Sequence, residues 1–160
     1  MGAAFRPATT ADEPALFELM REFYRHEGMA WDERAARAAL RGVLADPSAG
    51  RGVLIEQDGA VAGYLVVCFG FSLEFQGRDA FVDELYVREA FRGRGLGTRA
   101  LEVAADLCRE NGVRALHLEV ERRNTRAQEI YRKAGFRDRD YYLMTRRLAP
   151  PGEPGGDRDA

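Results

Sequence analysis

The stretch from Phe81 to Gly112 constrains this chain more than any other, because it specifies a strand, a glycine-rich loop and a helix in that order. Phe81-Val-Asp-Glu-Leu-Tyr-Val87 is β-branched and aromatic, and Val82, Glu84 and Tyr86 alternate with Phe81, Asp83, Leu85 and Val87 as a strand requires. Leu96, Ala100, Val103, Ala104, Leu107 and Cys108 fall on one face of a helix. Asn111-Gly112 then supplies residues that tolerate the left-handed conformation ending it. Between strand and helix lies Arg92-Gly93-Arg94-Gly95-Leu96-Gly97. Its glycines let backbone approach a ligand closely, and the helix start offers unpaired N–H groups and the positive end of a dipole. This predicts an anion site suited to phosphate, with Arg92 and Arg94 adding charge.

Three phosphate-binding patterns compete for that loop. A P-loop needs Lys followed by Ser or Thr after its last glycine; here Thr98 is present and the lysine is not, so that reading fails. Gly95-Leu-Gly97-Thr-Arg-Ala100 fits the dinucleotide fingerprint, and Glu119 lies about 20 residues on, where that fold places an acid. That fingerprint, however, wants its first glycine directly after the strand, and Arg88 to Arg94 intervene. The chain also lacks room for two βαβ halves plus a substrate domain.

The third pattern is RxxGxG, matched by Arg92 through Gly97, and it resembles the pyrophosphate loop of the GNAT superfamily of N-acetyltransferases. Glu84-Leu85-Tyr86-Val87 resembles that family's strand whose bulged end receives the acetyl group. Asn124, Ala127 and Tyr131-Arg-Lys-Ala-Gly135-Phe136 resemble its following helix with a YxxxGF signature. The resemblance spans roughly residues 3 to 148. It implies an α/β fold with a mixed, mostly antiparallel, splayed sheet flanked by helices, and acetyl-CoA as co-substrate.

The 160 residues make one domain the simplest expectation, residues 1–148, with the proline- and glycine-rich 149–160 as a disordered tail. Net charge is −2 and basic residues are interspersed with acids, which excludes a basic nucleic-acid footprint. The longest apolar run, Val61 to Phe71, is too short to span a bilayer, and the N-terminus lacks a signal-peptide progression. Cys68 and Cys108 read as reduced core thiols, so the expected compartment is the cytoplasm. No metal site is expected.

In chain order, Ala3 to Arg6 is a short strand, and Thr10-Ala-Asp-Glu13 reads as a capping box opening a helix that carries Leu16, Leu19, Met20, Phe23 and Tyr24. Gly28 ends that helix. A second runs from Asp32 to just before Asp46-Pro47. Gly52–Glu56 and Ala60–Phe71 form a hairpin about Asp58-Gly59, and the apolar second arm predicts a central strand. Ser72 to Asp79 connects it to the organising strand. Arg114 to Val120 is another strand, Asn124 or Thr125 caps a short helix stopped by Gly135, and Phe136 to Leu148 holds one or two last strands.

Acetyl transfer to an amine requires a held cofactor, a polarised thioester carbonyl, a neutral amine and a protonated leaving thiolate. The resemblance assigns the loop amides of Gly93 to Gly97, with Arg92, Arg94, Leu96 and Thr98, to the pyrophosphate. It assigns the backbone of Leu85, Tyr86 and Val87 to the pantetheine arm, with the Val87 N–H on the acetyl oxygen. Asn124 and Ala127 join the cofactor set, and Tyr131 is the general acid; their plainer readings are a helix cap and an ordinary packed aromatic. Glu84 is the base for an amine that is otherwise protonated at neutral pH, the alternative being a salt-bridged strand carboxylate. Asp83 faces away from Glu84 in a regular strand, and only a bulge would turn it. The Asp83-Glu84 pair is similar to the acidic pair of diamine acetyltransferases.

Acids on the first helices and the connector are expected to attract a cationic acceptor: Glu22 and His26, beside Glu18 and Glu27, and Glu74 near Asp79. A solvated helix face explains any one of them equally well. His117 shares a strand face with Glu119. The expected activity is direct transfer from acetyl-CoA to a small, polyamine-like primary amine. A peptide acceptor and a non-catalytic CoA-binding domain are the rivals, and a homodimer is the expected assembly.

Overall fold

The computed structural model describes residues 2–149. Five strands, β1 (Ala3–Pro7), β2 (Gly50–Gln57), β3 (Ala60–Ser72), β4 (Gly77–Val87) and β5 (Ala115–His117), form one open sheet in the order β1-β2-β3-β4-β5. The first four are antiparallel neighbours and β5 joins β4 in parallel. A parallel pair needs a crossover, which is helix α3 (Leu96–Glu110). This one parallel pair excludes the doubly wound, nicotinamide-type reading.

Helices α1 (Glu13–Glu27) and α2 (Glu33–Ala45) cover one face, where Leu16, Leu19, Met20 and Leu40 pack on Leu54, Tyr64 and Val66. α3 covers the other, setting Ala104 and Cys108 on Val53, Leu65 and Val67, and Leu96 and Ala100 on Ile55 and Ala62. Neighbouring residues of β2 and β3 thus serve opposite cores, which is why β3 is buried from Ala62 to Val67 as its composition predicts. The β2–β3 turn holds Asp58 and Gly59 at φ 51° and 81°, the two positive angles of a type I′ hairpin. Helix α4 (Thr125–Lys133) follows β5.

Several expectations are corrected. The capping box sits one residue early: the Asp12 carboxylate accepts from the Thr9 N–H at 2.8 Å, while Glu13 is engaged with Arg37 and Arg41 of α2. The connector is shorter than Ser72–Asp79, because β3 and β4 continue pairing to Ser72↔Gly77. β5 spans Ala115–His117 instead of Arg114–Val120. Residues 136–148 form no strand; Arg132–Asp138 and Arg139–Glu74 ion pairs tie this charged stretch to α4 and to the hairpin tip instead of a sheet edge. The tail beyond Ala149 lies outside the described residues.

Candidate active site

The site is organised by an irregularity in β4. Pairing with β3 runs Val66↔Glu84 and then Val67↔Val82, so Asp83 is an inserted residue, a bulge. Its effect shows in which core each side chain joins. Ala80 and Val82 pack toward α3 before the bulge, and Leu85 and Val87 do so after it. The even–odd alternation therefore changes phase, which leaves both Asp83 and Glu84 on the α1–α2 side. Tyr24, Tyr64 and Cys68 belong to that side: burial raises the pKa of all three, and the charges of Glu84 and Asp83 add to it.

β4 and β5 pair only over Asp79↔Ala115 to Phe81↔His117. Beyond Phe81 the strands part, and a cleft of about 120 Å³ opens there, lined by Phe81, Val82, Asp83 and Glu119. At the far end of β4 the Arg88 N–H donates to the Ala62 carbonyl at 2.8 Å, toward β3. Because backbone groups alternate, the Val87 and Leu85 amides point to the opposite, open edge. The Val87 carbonyl on that edge accepts from the Arg92 side chain at 2.9 Å.

The loop after β4 leads into α3 with Gly93 and Gly95 both at φ 75°, a conformation that non-glycine residues adopt only with strain. Residues 92–95 are exposed. The first helical bond runs from the Arg99 N–H to the Gly95 carbonyl, and no side chain caps the helix, so the amides of Leu96, Gly97 and Thr98 are unspent. A Cβ built at Gly93, Gly95 or Gly97 meets nothing within 4 Å. These glycines are therefore not demanded by the protein's own packing. Exposed, uncapped amides at the positive end of a 15-residue helix fit a diphosphate. Two expectations shift here. The Arg92 guanidinium braces β4 beside His26, 3.4 Å away, instead of extending from the loop, and the Leu96 side chain is buried, leaving its amide to act.

Glu84 is part-buried. Its two carboxylate oxygens accept separately from the Tyr24 hydroxyl at 2.7 Å and the Tyr64 hydroxyl at 2.6 Å. Burial raises its pKa, both tyrosine bonds pull it back down, and the Asp83 charge pushes it up. It makes no salt bridge among the described residues, so the structural ion-pair alternative does not hold. Asp83 stands at the exposed lip of the cleft, and the protein packed behind it raises its carboxyl too.

Tyr131 lies on α4, half-buried against Phe136, at 6.2 Å between ring centres. Burial raises its hydroxyl pKa, and the charge of Glu27 adds to the effect. Helix α1 thus reaches both groups, Glu84 through Tyr24 and Tyr131 through Glu27. The Asn124 side-chain oxygen caps α4 by accepting from the Ala127 N–H at 3.1 Å, which leaves its amide NH₂ for other use.

The remaining acids are mostly spoken for. Glu22 forms a two-bond pair with Arg88 at 2.7 and 2.9 Å, Glu74 is held by Arg139, and Glu18 pairs with Arg21. Glu22 and Glu74 therefore do not offer free charge to a cation. His117 pairs with Asp79 at 3.3 Å between the Phe75 and Phe81 rings. Sequence reasoning missed Tyr24 and Tyr64 as site residues. The available signal was Tyr64 itself, the one hydroxyl side chain in the apolar run from Ala60 to Phe71, which must find a partner when buried.

The profile of the acetyltransferase (GNAT) family matches residues 14–136. The chain is 31% identical over 136 residues to the uncharacterized N-acetyltransferase YhfO of Bacillus subtilis (strain 168), covering 83% of this chain and 89% of that protein. It is 25% identical over 148 residues to the thialysine N-epsilon-acetyltransferase of Bos taurus, covering 83% of each. An integron cassette protein from the mobile metagenome of Cole Harbour Salt Marsh has a crystal structure that superposes with a TM-score of 0.82 at 39% identity, over 92% of this chain and 91% of that one.

Proposed function

Since the chain belongs to the GNAT family of acetyltransferases and is an acetyl-CoA-dependent N-acetyltransferase, we propose that its acceptor is a small cationic primary amine, polyamine-like in bearing an amine on an aliphatic body, which attacks directly within a ternary complex. The observation that carries this reading is the turn of Asp83 and Glu84 to one side by the bulge, two carboxylates without a basic partner beside parted strands. A relative named for acetylating the ε-amine of thialysine supports the same acceptor class. Residues 1–148 would act as one domain.

Acetyl-CoA supplies the acetyl group as a thioester. The uncapped amides of Leu96, Gly97 and Thr98, with the flanking Gly93-Arg94-Gly95 backbone, hold its diphosphate, and the Asn124 NH₂ contributes a further donor. The open edge at Leu85 and Val87 pairs with the pantetheine amides as an added strand. The Val87 N–H takes up charge developing on the acetyl oxygen. Glu84 accepts the proton of the acceptor ammonium, directly or through water, and Asp83 attracts that cation into the cleft. Tyr131, kept protonated by its raised pKa, donates to the departing sulfur. Cys68 and Cys108 are both raised to about 11, so neither is an activated nucleophile, in keeping with direct transfer. Free thiols also fit a cytoplasmic setting.

The test is acetyl-CoA consumption against spermidine, other aliphatic amines, lysine analogues and peptides. Turnover of small amines is expected to exceed that of peptides, and activity on peptides alone overturns the acceptor assignment. Tyr131→Phe is expected to lower kcat by about 10²-fold or more, and unchanged turnover removes Tyr131 as the acid. For assembly, we read the exposed Phe71, Leu73, Tyr141, Leu143 and Met144 as surface for a homodimer. Sedimentation showing only monomer refutes it.

A further inference from the structure

We propose that Tyr24 and Tyr64 are positioning residues that fix the Glu84 carboxylate in place and keep it ionised, Tyr64 from within the sheet and Tyr24 from helix α1. The inference rests on the reading of Glu84 as the base. The groups facing Glu84 are Tyr24 from α1, Tyr64 and Cys68 from β3, and Asp83 and Tyr86 from β4, and none of them is a cation. The neighbouring arginines are occupied elsewhere, Arg88 by Glu22 and Arg92 by the Val87 carbonyl. A part-buried carboxylate with a second acid beside it and no cation is pushed toward its neutral form unless donors hold its charge. Here each oxygen has one donor, at 2.7 and 2.6 Å, the lengths of charge-assisted bonds.

The two hydroxyls are themselves fixed. The Tyr24 ring lies 5.2 Å from Trp31 and 5.8 Å from Phe23, and the Tyr64 ring 6.4 Å from both Phe23 and Tyr86. Burial raises both phenols, so they remain O–H donors throughout the working pH range. Each carboxylate oxygen spends one lone pair on its tyrosine and keeps another to accept from the acceptor ammonium. The donors are not equivalent. Tyr64 is fully buried, so water has no route to replace its hydroxyl, whereas Tyr24 is part-exposed on α1 and its place at Glu84 is within reach of solvent.

The experiment follows the Glu84 carboxyl carbon by NMR against pH in glutamate-labelled protein, its resonance assigned by loss in Glu84→Gln. Tyr64→Phe is expected to raise the Glu84 midpoint by about one pH unit, the worth of a hydrogen bond to a charged group, and Tyr24→Phe by several tenths. The acid limb of kcat/KM should move up in parallel. A purely structural role would lower activity in both variants without moving either midpoint, and that result overturns the proposal. Turnover retained in Glu84→Gln with an unmoved acid limb defeats Glu84 as base, and the NMR midpoints still decide whether the tyrosines hold its charge.

Discussion

Burial and ionisation pull in opposite directions at Glu84, and the conflict has a measurable consequence for stability. Its folded pKa lies above the ordinary value of 4.5, chiefly through desolvation. The folded chain therefore holds this proton more tightly than the unfolded chain does. The group favours folding only below its unfolded value, and that contribution is lost as pH rises through the folded value, so at neutral pH the charge is a net cost. Glu84→Gln should accordingly melt higher than the parent at pH 7, with the difference shrinking as pH falls toward 4.5, while turnover drops by about 10²–10⁴-fold. Melting curves across pH check the first part, and a constant gap at all pH values refutes it. The same residue shows how far sequence carries: Glu84 is recognisable beside Leu85-Tyr86-Val87, but its partners stand 60 and 20 residues away in the chain. No local spacing encodes such contacts.

Among the elements, those with a strong period or turn signal were legible. The Asp58-Gly59 hairpin, α2 behind its Asp32 cap and α3 between Leu96 and Asn111-Gly112 match their expected limits closely. Two features resisted. The bulge at Asp83 is a mismatch between neighbouring strands, visible only once β3 supplies the register. The stretch 136–148 has strand-like apolar residues, but Arg137-Asp-Arg-Asp140 finds ion partners on α4 and the hairpin tip instead. The loop–helix junction gives the sharpest element-level prediction. A Cβ at Gly97 enters open space within a helix, so Gly97→Ala and Gly97→Leu should each stabilise the fold by about 0.5–1 kcal/mol, while the Leu side chain should weaken acetyl-CoA binding at least tenfold. Calorimetric titration separates the two, and full affinity in Gly97→Leu would sink the diphosphate site.

At the scale of the whole molecule, acetyl-CoA should act as a structural component. Saturation at a hundred times its Kd adds about 2.7 kcal/mol by mass action, or roughly 5–10 °C in Tm for a chain of this size. NADH should add nothing, and equal shifts from both would reopen the nicotinamide reading. The parting of β4 from β5 after Phe81 matters beyond catalysis. A row of peptide groups left unsated along a sheet margin is a template that any stray extended chain can copy, and natural proteins ordinarily guard such margins. Here the guard would be the substrate. Cells starved of coenzyme A would then hold this protein in its stickiest form, and light scattering during concentration should fall when acetyl-CoA is supplied.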